Sequence, residues 1–241
     1  MTAAAGRLAA VLAFALAACG GGNDEQLKVS AAASLKTAFP EYEPDARYSF
    51  AGSDELAAQI RAGARPDVFA AANTALPEAL RAEGLVEGPV TFAANRLVLA
   101  VPRGPTEVRA IDDLAKPGIR IAVGAPSVPV GSYTSEVIGR LPPATEEAIL
   151  RNVRSNEPDV AGVVGKIAQG AVDAGFVYVT DVEASDGRLV AIELPERLQP
   201  SVNYAAAVVK GAEDPDAAAA FVDGLPDAPA LRDAGFEPPR P

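Results

Sequence analysis

The sequence predicts an α/β fold with mostly parallel sheets, on three observations. Short β-prone runs alternate with helical segments along most of the chain. Hydrophobic residues make up 49% of the 241 residues and charged residues 22%, proportions typical of a globular protein with a real core. No fixed-period repeat is present, so a solenoid or propeller is not expected.

The first part of the chain contains three strand–helix units. We predict strands over 27–33, 48–51 and 66–71, followed by helices over 35–39, 54–63 and 77–83. Ser34 and Ser53 stand where the first two helices begin, which is a typical N-cap position. Gly63 is a plausible helix stop.

The same alternation continues over the rest of the chain. We predict strands over 97–101, 119–123, 174–179 and 202–210, and helices around 111–118, 133–141, 159–170 and 216–223. The stretch 124–131 is too rich in proline and glycine for regular structure, so it is predicted to be an irregular loop.

The N-terminal segment is predicted to be a targeting signal rather than part of the folded domain. Arg7 precedes an apolar run over 8–18 that is too short to span a bilayer comfortably. Small residues and then Cys19 end this run, which resembles a bacterial lipoprotein signal. We therefore expect residues 1–18 to be a cleaved signal peptide, Cys19 to carry lipid, and 19–26 to form a flexible tether. An ordinary signal peptide with an incidental cysteine is the alternative.

The composition excludes several classes of function. The chain has no histidine, which removes the commonest zinc ligand and general base and excludes a Ser-His-Asp triad. Its single cysteine cannot form a disulfide within the chain. The formal net charge of −11 argues against nucleic-acid binding. The stretch 162–166 is glycine-rich and ends in lysine, but it lacks the P-loop spacing and hydroxyl residue, so nucleotide binding is rejected.

Ser34 and Ser53 carry the first site hypothesis. Each follows a predicted strand and opens a predicted helix, and ligands of open α/β sheets sit beyond the carboxyl ends of the strands. Helix N-termini offer unpaired N–H groups and partial positive charge, so two such ends facing one point can hold a dianion. The alternative is that both serines are simple helix caps.

A resemblance extends this hypothesis. Seven segments come in the same order as in the periplasmic molybdate-binding protein family, and together they cover about residues 27–238. They are AAASL at 31–35, FAGSDELAAQI at 50–60, GARPDVFAAA at 63–72, IRIAVGAPSVPVGSY at 119–133, DVAGVV at 159–164, GFVYVTDV at 175–182 and DAGFEPP at 233–239.

The resemblance implies a two-lobed periplasmic binding protein fold of type II with hinge strands. Lobe one would comprise 27–92 plus 205–241, and lobe two 95–200, with the ligand between them. The chain would cross between lobes near 91–95 and 201–204.

The resemblance also implies the ligand-binding residues. Hydroxyls of Ser34, Ser53 and Tyr178 and backbone N–H groups of Val130 and Val160 would bind the oxyanion. All five are neutral donors, which suits a dianion that has no proton to donate, whereas a carboxylate in the site would select a protonated anion such as phosphate. The 124–131 loop departs from the family pattern, since it lacks one residue and the usual aspartate. Tyr178 packed in the core is the alternative for that residue.

The implied function is an extracytoplasmic binding protein that captures molybdate, and also tungstate, and delivers it to the membrane permease of an ABC importer. No cofactor and no directly coordinated metal are expected, and the protein would be a monomer held by lipid on the outer face of the cytoplasmic membrane. The first alternative is a protein of the same fold for another anion, such as sulfate or tungstate only. An enzyme and a structural lipoprotein are the others. Asp54 is expected to point to solvent from the first turn of its helix; if it pointed inward, it would repel an anion.

Overall fold

Two five-stranded β-sheets form the framework of the protein in the computed structural model, which describes residues 26–240. The predicted signal peptide, Cys19 and almost all of the tether lie outside the described residues. Each sheet carries helices on its faces, as the alternation of strands and helices predicts.

The first sheet has the strand order β2-β1-β3-β10-β4. Strand β1 runs parallel to both β2 and β3, whereas β10 runs antiparallel to β3 and β4. The bounds of these strands are Lys28–Ala32 (β1), Arg47–Ala51 (β2), Val68–Ala71 (β3), Val90–Asn95 (β4) and Val202–Val208 (β10).

The second sheet has the order β7-β6-β8-β5-β9 and repeats the same arrangement. Strand β6 is parallel to β7 and β8, and β5 is antiparallel to β8 and β9. The bounds are Leu97–Pro102 (β5), Ile121–Gly124 (β6), Val153–Glu157 (β7), Ala174–Tyr178 (β8) and Leu189–Glu193 (β9).

The α-helices mostly connect consecutive strands, which is what parallel pairing requires. Their bounds are Ala38–Tyr42 (α1), Ser53–Arg61 (α2), Ala75–Ala82 (α3), Pro129–Gly139 (α4), Pro143–Asn152 (α5), Val160–Ala168 (α6), Val179–Glu183 (α7), Pro215–Gly224 (α8) and Pro229–Asp233 (α9). Short 3-10 helices occur at Ala33–Leu35, Ile111–Ala115, Glu196–Leu198 and Leu225–Asp227.

The central strands are buried on both faces. Every residue of β3, β6 and β8 is buried, which is the pattern of strands covered by helices on two sides. These rigid strands end beside the loops and helix starts that form the candidate site.

The chain crosses between the sheets twice. It leaves the first sheet at Asn95, enters the second at Leu97, and returns before β10. Arg96 lies between Asn95 and Leu97, and its guanidinium contacts Glu193 at 2.8 Å and Glu237 at 3.0 Å. The backbone of Glu237 also pairs with Ala94 at the end of β4. The C-terminal segment therefore lies against the crossing.

The α/β, two-lobed fold class is confirmed. Parallel pairing is limited to β1–β3 and β6–β8, because β5 and β10 enter their sheets after a crossing and run antiparallel to their neighbours. The lobe boundaries at 27–92 plus 205–241 and 95–200 stay a prediction.

Three local predictions were wrong. Ser34 lies inside the 3-10 helix Ala33–Leu35, and Ser53 is the first residue of α2, with Gly52 at the N-cap; neither side chain makes a cap hydrogen bond. The 124–131 stretch is not irregular throughout, since α4 begins at Pro129. Proline suits this first helical position, because its fixed φ is helical and its missing N–H would have no acceptor there.

Candidate functional site

A small cavity lies where the loops of the two sheets meet. The space open to the centre of a water-sized sphere is about 20 Å³. The first sheet contributes residues at or just after the ends of β1, β2 and β3, and the second contributes the starts of α4 and α6 and the end of β8. The lining residues are Ala32, Ala33, Ser34, Ala51, Gly52, Ser53, Ala72, Val128, Pro129, Val130, Asp159, Val160 and Tyr178.

All five residues predicted to bind a ligand line this one cavity. Each is buried, with between 1% and 8% of its surface exposed. Ser34 and Ser53 come from the first sheet, and the other three come from the second. The structure thus brings together donors from distant parts of the chain, and their role in binding stays a prediction.

Ser34 presents its hydroxyl at the end of β1. Its Oγ lies 2.8 Å from the hydroxyl of Tyr204, which is fully buried on β10. The geometry leaves open which of the two hydroxyls donates. The second hydrogen-bonding position of the Ser34 oxygen remains available to the cavity.

The side chain of Ser53 is held by a backbone N–H group that follows β3. Its Oγ accepts a hydrogen bond of 3.1 Å from the N–H of Ala72, which directly follows β3. A backbone N–H can only donate, so the Ser53 hydroxyl proton stays free to point elsewhere. The side chain is 1% exposed and lines the cavity.

Tyr178 has a buried hydroxyl with no hydrogen-bond partner among the described residues. Burial raises its pKa well above 10, and the nearby Tyr204, Tyr133 and Asp181 raise it further. The hydroxyl therefore remains a donor at all physiological pH values. An orphan buried donor costs roughly 1–3 kcal/mol, so this group fits a site whose ligand supplies the missing acceptor.

Val130 and Val160 lie where helices leave their backbone N–H groups unpaired. Val130 is the second residue of α4, and Val160 is the first residue of α6. The first four N–H groups of an α-helix lack acceptors within the helix, and the helix dipole adds partial positive charge there. Both positions can therefore donate to an anion without using their side chains.

Two carboxylates near the site run against the expectation of neutral donors alone. Asp159 lines the cavity, and its Oδ1 accepts a 2.8 Å hydrogen bond from the N–H of Gly162, capping α6. Asp54 was expected to point to solvent, but its Oδ1 is buried and has no partner among the described residues. That oxygen lies beside Gly52 and does not line the cavity.

A third carboxyl group, Asp181, caps the helix that follows Tyr178. Its Oδ2 accepts a 2.9 Å hydrogen bond from the backbone N–H of Tyr178. The pKa of Asp181 is raised to about 7, first by desolvation and also by the nearby Asp159, against the lowering effect of that hydrogen bond. The carboxyl is therefore partly protonated near neutral pH.

Glycine allows the two sides of the site to meet closely. A Cβ on Gly52 would lie 2.4 Å from the carbonyl oxygen of Pro158 and 3.5 Å from Val128. Gly52 lies on the side of the first sheet, whereas Pro158 and Val128 lie on the side of the second sheet. A Cβ on Gly131 would lie 1.9 Å from the carbonyl oxygen of Ala125. Only a residue without a side chain fits at these two contacts.

Sequence reasoning missed four residues that shape the site: Gly52, Asp159, Asp181 and Tyr204. Asp159 carried a readable signal, since an aspartate directly before a helical run is a common N-cap. Tyr204 carried none, because its contact with Ser34 spans 170 residues.

The described residues contain no group of three or more His, Cys, Asp or Glu side chains that could hold a metal ion. Over residues 26–240, no helix has the length and apolar character needed to cross a membrane.

Comparison with known proteins places the chain in a family. The family model described as bacterial extracellular solute-binding protein matches residues 27–237. The molybdate-binding protein ModA of Mycobacterium tuberculosis is 35% identical, over 90% of this chain and 89% of the relative. Two solved structures are also similar. The substrate-binding domain of a putative molybdenum ABC transporter from Clostridium difficile is 27% identical, covering 89% of this chain and 99% of that one, with a TM-score of 0.64.

The periplasmic molybdate-binding protein of Azotobacter vinelandii supports the fold alone. It is 24% identical, covers 89% of this chain and 100% of its own, and superposes with a TM-score of 0.78. The match of the family model covers nearly all described residues, and the relative from Mycobacterium extends over the same length. The chain therefore belongs to the family of bacterial extracellular solute-binding proteins.

Proposed function

We propose that this protein captures molybdate outside the cytoplasm and delivers it to an ABC importer. One observation carries the proposal: hydroxyl and backbone donors from both sheets converge on a single small, buried cavity. The Mycobacterium relative and the Clostridium structure, both named for molybdate or molybdenum, agree with it.

Neutral donors suit a fully deprotonated oxyanion. Ser34, Ser53 and Tyr178 each supply a hydroxyl, and Val130 and Val160 each supply a backbone N–H. Burying an ion is costly unless hydrogen bonds replace its water shell, and charge-assisted hydrogen bonds to an anion are the stronger kind. Five such donors can replace that shell without a lysine or arginine in the cavity wall.

The size of the cavity restricts the ligand class. About 20 Å³ of space is open to the centre of a water-sized sphere, and a single water needs roughly 10–15 Å³ on the same measure. A compact tetrahedral anion suits such a volume, whereas a sugar or a peptide is far too large. Molybdate and tungstate are nearly the same size, so we propose that both bind.

The transport step rests on closure of two lobes, for which we propose the bounds 27–92 plus 205–241 and 95–200. A ligand that bonds donors on both sheets stabilises the closed arrangement, because only contacts that differ between two states can shift their equilibrium. The membrane permease would recognise the closed form. The protein acts as a monomer and releases its ligand chemically unchanged.

The N-terminal segment supports a location on the outer face of the cytoplasmic membrane. We propose that residues 1–18 are removed and that Cys19 is lipidated, with 19–26 as the tether. Mass spectrometry of the protein purified from its host membrane tests this proposal. A lipid-modified N-terminal Cys19 is the expected result, and an unmodified Cys19 would contradict the anchor.

A second candidate ligand class is a protonated oxyanion, such as hydrogen phosphate. Asp159 favours it, because a carboxylate in the cavity wall can accept the proton that such an anion carries. The hydrogen bond from Gly162 occupies one oxygen of this carboxylate. The charge of Asp159 also opposes a bound dianion, so the two candidates predict different anion preferences.

Calorimetric titration with molybdate, tungstate, sulfate and phosphate tests the function directly. Molybdate and tungstate should bind more tightly than sulfate and phosphate. Ser34→Ala should lower the affinity for molybdate by about tenfold or more, the equivalent of about 1.5–3 kcal/mol for a hydrogen bond to a charged group. Preferential binding of phosphate would favour the second candidate. An unchanged molybdate affinity in Ser34→Ala would contradict the proposed site.

A further inference from the structure

Two buried pairs of polar side chains lie between the crossing of the sheets and the cavity. Ser34 contacts the hydroxyl of Tyr204 at 2.8 Å, and Asn95 donates to the hydroxyl of Thr180 at 2.9 Å. All four residues are buried, and Tyr204 and Asn95 have no exposed surface. Ser34 lines the cavity, and Thr180 lies two residues after the cavity-lining Tyr178, so each pair adjoins the cavity wall.

Tyr204 and Asn95 are neighbours on the two paired strands β10 and β4. Tyr204 stands opposite Ala93, and Val202 stands opposite Asn95. Residues directly opposite each other, and those two positions along, share one face of a sheet, so Asn95 and Tyr204 lie on the same face as diagonal neighbours. Side chains of this length reach each other across a diagonal.

The orientation of the Asn95 amide is fixed from outside. Its Oδ1 accepts a 2.9 Å hydrogen bond from the backbone N–H of Arg96, which can only donate. The NH₂ end therefore faces the interior, where it donates to Thr180. Burial keeps the pKa of Tyr204 well above 10, so its hydroxyl keeps the proton that it can donate.

A bound anion determines which way the Tyr204 proton points. An oxyanion without protons can only accept hydrogen bonds, so Ser34 must give its single hydroxyl proton to the ligand. The 2.8 Å contact then requires the Tyr204 hydroxyl to donate to the Oγ of Ser34. Ser53 has the same arrangement, since the Ala72 N–H donates to its oxygen from behind.

We propose that Tyr204 is a positioning residue that donates to Ser34 and thereby holds the Ser34 hydroxyl as a hydrogen-bond donor to the bound oxyanion. This inference rests on the proposed function, and it adds a residue of the crossing strand to the machinery that selects an anion without protons. Tyr204 does not touch the ligand, because it acts through Ser34.

A double-mutant cycle on the purified full chain tests the proposal, with molybdate as the titrant. Tyr204→Phe removes the hydroxyl and keeps the ring, which packs at 5.2 Å against Phe236 and 6.0 Å against Tyr178. In the native background this variant should weaken molybdate binding by roughly two- to tenfold, the range of one neutral hydrogen bond. In the Ser34→Ala background it should change the affinity by less than about twofold, because its target is gone.

Tyr42→Phe is the matched control, since the hydroxyl of Tyr42 donates to the carbonyl of Phe221 and lies away from the cavity. It should leave the molybdate affinity unchanged. If the Tyr204 hydroxyl is purely structural, its removal should lower the molybdate affinity equally in both backgrounds, and such additivity would overturn the proposal. So would native affinity in Tyr204→Phe while Ser34→Ala is weakened. Unchanged affinity in Ser34→Ala itself would instead overturn the proposed site.

Discussion

The backbone of Gly52 lies against the carbonyl of Pro158 so closely that a Cβ on Gly52 would stand 2.4 Å from the Pro158 oxygen. Gly52 precedes α2 on the side of the first sheet, and Pro158 precedes α6 on the side of the second. This contact is therefore one point where the two sides of the cavity touch, and it needs a residue without a side chain.

Gly52→Ala is expected to hinder closure while leaving each sheet intact. The added methyl group cannot occupy the space of the Pro158 oxygen, so the closed arrangement becomes less favourable. Molybdate affinity should fall by about tenfold or more, the equivalent of about 1.4 kcal/mol or more. Calorimetry measures the affinity, and small-angle scattering shows whether ligand still compacts the molecule.

Gly88→Ala is the matched control for that variant, because a Cβ at Gly88 meets nothing within 4 Å. It should retain native affinity and compaction. A Gly52→Ala variant that binds and compacts like the native protein would show that the contact does not govern closure.

Tyr178→Phe is expected to separate stability from binding. The Tyr178 hydroxyl is buried without a partner among the described residues, so its loss should leave the melting temperature of the ligand-free protein unchanged or higher. Molybdate affinity should fall by roughly tenfold, as for loss of a bond to a charged group. Thermal denaturation with and without molybdate measures both effects.

Tyr48→Phe should give the opposite pattern. Its hydroxyl donates to the carbonyls of Phe39 and Glu43, each at 2.8 Å, and lies away from the cavity. Stability should fall with no change in affinity. If Tyr178→Phe behaved in the same way, the Tyr178 hydroxyl would be a structural group and not a ligand donor.

Asp159→Asn tests the charge in the cavity wall. Asparagine keeps the oxygen that caps α6 through Gly162 and removes the negative charge. A bound dianion should then bind more tightly, because a nearby like charge is removed. Phosphate binding should weaken relative to molybdate, since the proton acceptor is lost. Parallel titrations with both anions measure the ratio, and a shift in favour of phosphate would contradict this reading of Asp159.

The pKa of Asp181 predicts how stability depends on pH. Desolvation raises this pKa to about 7, whereas an unfolded aspartate titrates near about 3.9. The folded state therefore binds the proton more tightly. The stability from this group is fully present below about pH 4, declines as pH rises towards about 7, and is absent above that.

Asp181→Asn has no carboxyl to ionise at this position and so removes that decline. The melting temperature of the variant minus that of the native protein should increase between about pH 4 and 7 and then level off. Asp45→Asn, which alters an exposed carboxylate, serves as control. A difference that stays constant across this range would show that Asp181 ionises in the folded state at its ordinary pKa.

The five candidate residues predicted from the sequence line one cavity, whereas several of their contacts could not be predicted. Alternating strands and helices predict the central strands correctly, because these are buried apolar runs. The edge strand β7 was missed, since its residues VRSNE carry no apolar pattern. Ser34 and Ser53 occupy predicted N-cap positions, yet their oxygens meet Tyr204 and the Ala72 N–H. Those partners come from other strands, so no local pattern reveals them.

Val130 and Val160 show a different limit of sequence reasoning. Their proposed contribution comes from the backbone, so their side chains give no signal, and resemblance alone pointed to them. The structure places both at helix starts, which supplies a physical reason for N–H donors there. Asp159 was missed as a cavity residue because its role as a helix N-cap gives no indication that the residue also lines a cavity.

The burial of the cavity also sets the timing of exchange. The five candidate donors are at most 8% exposed and come from both sheets, so an ion that bonds all of them loses part of its donors when the sheets separate. We therefore expect its dwell time to depend on how often the sheets separate. A permease that held the sheets apart would therefore promote release of the anion without offering it a competing binding site.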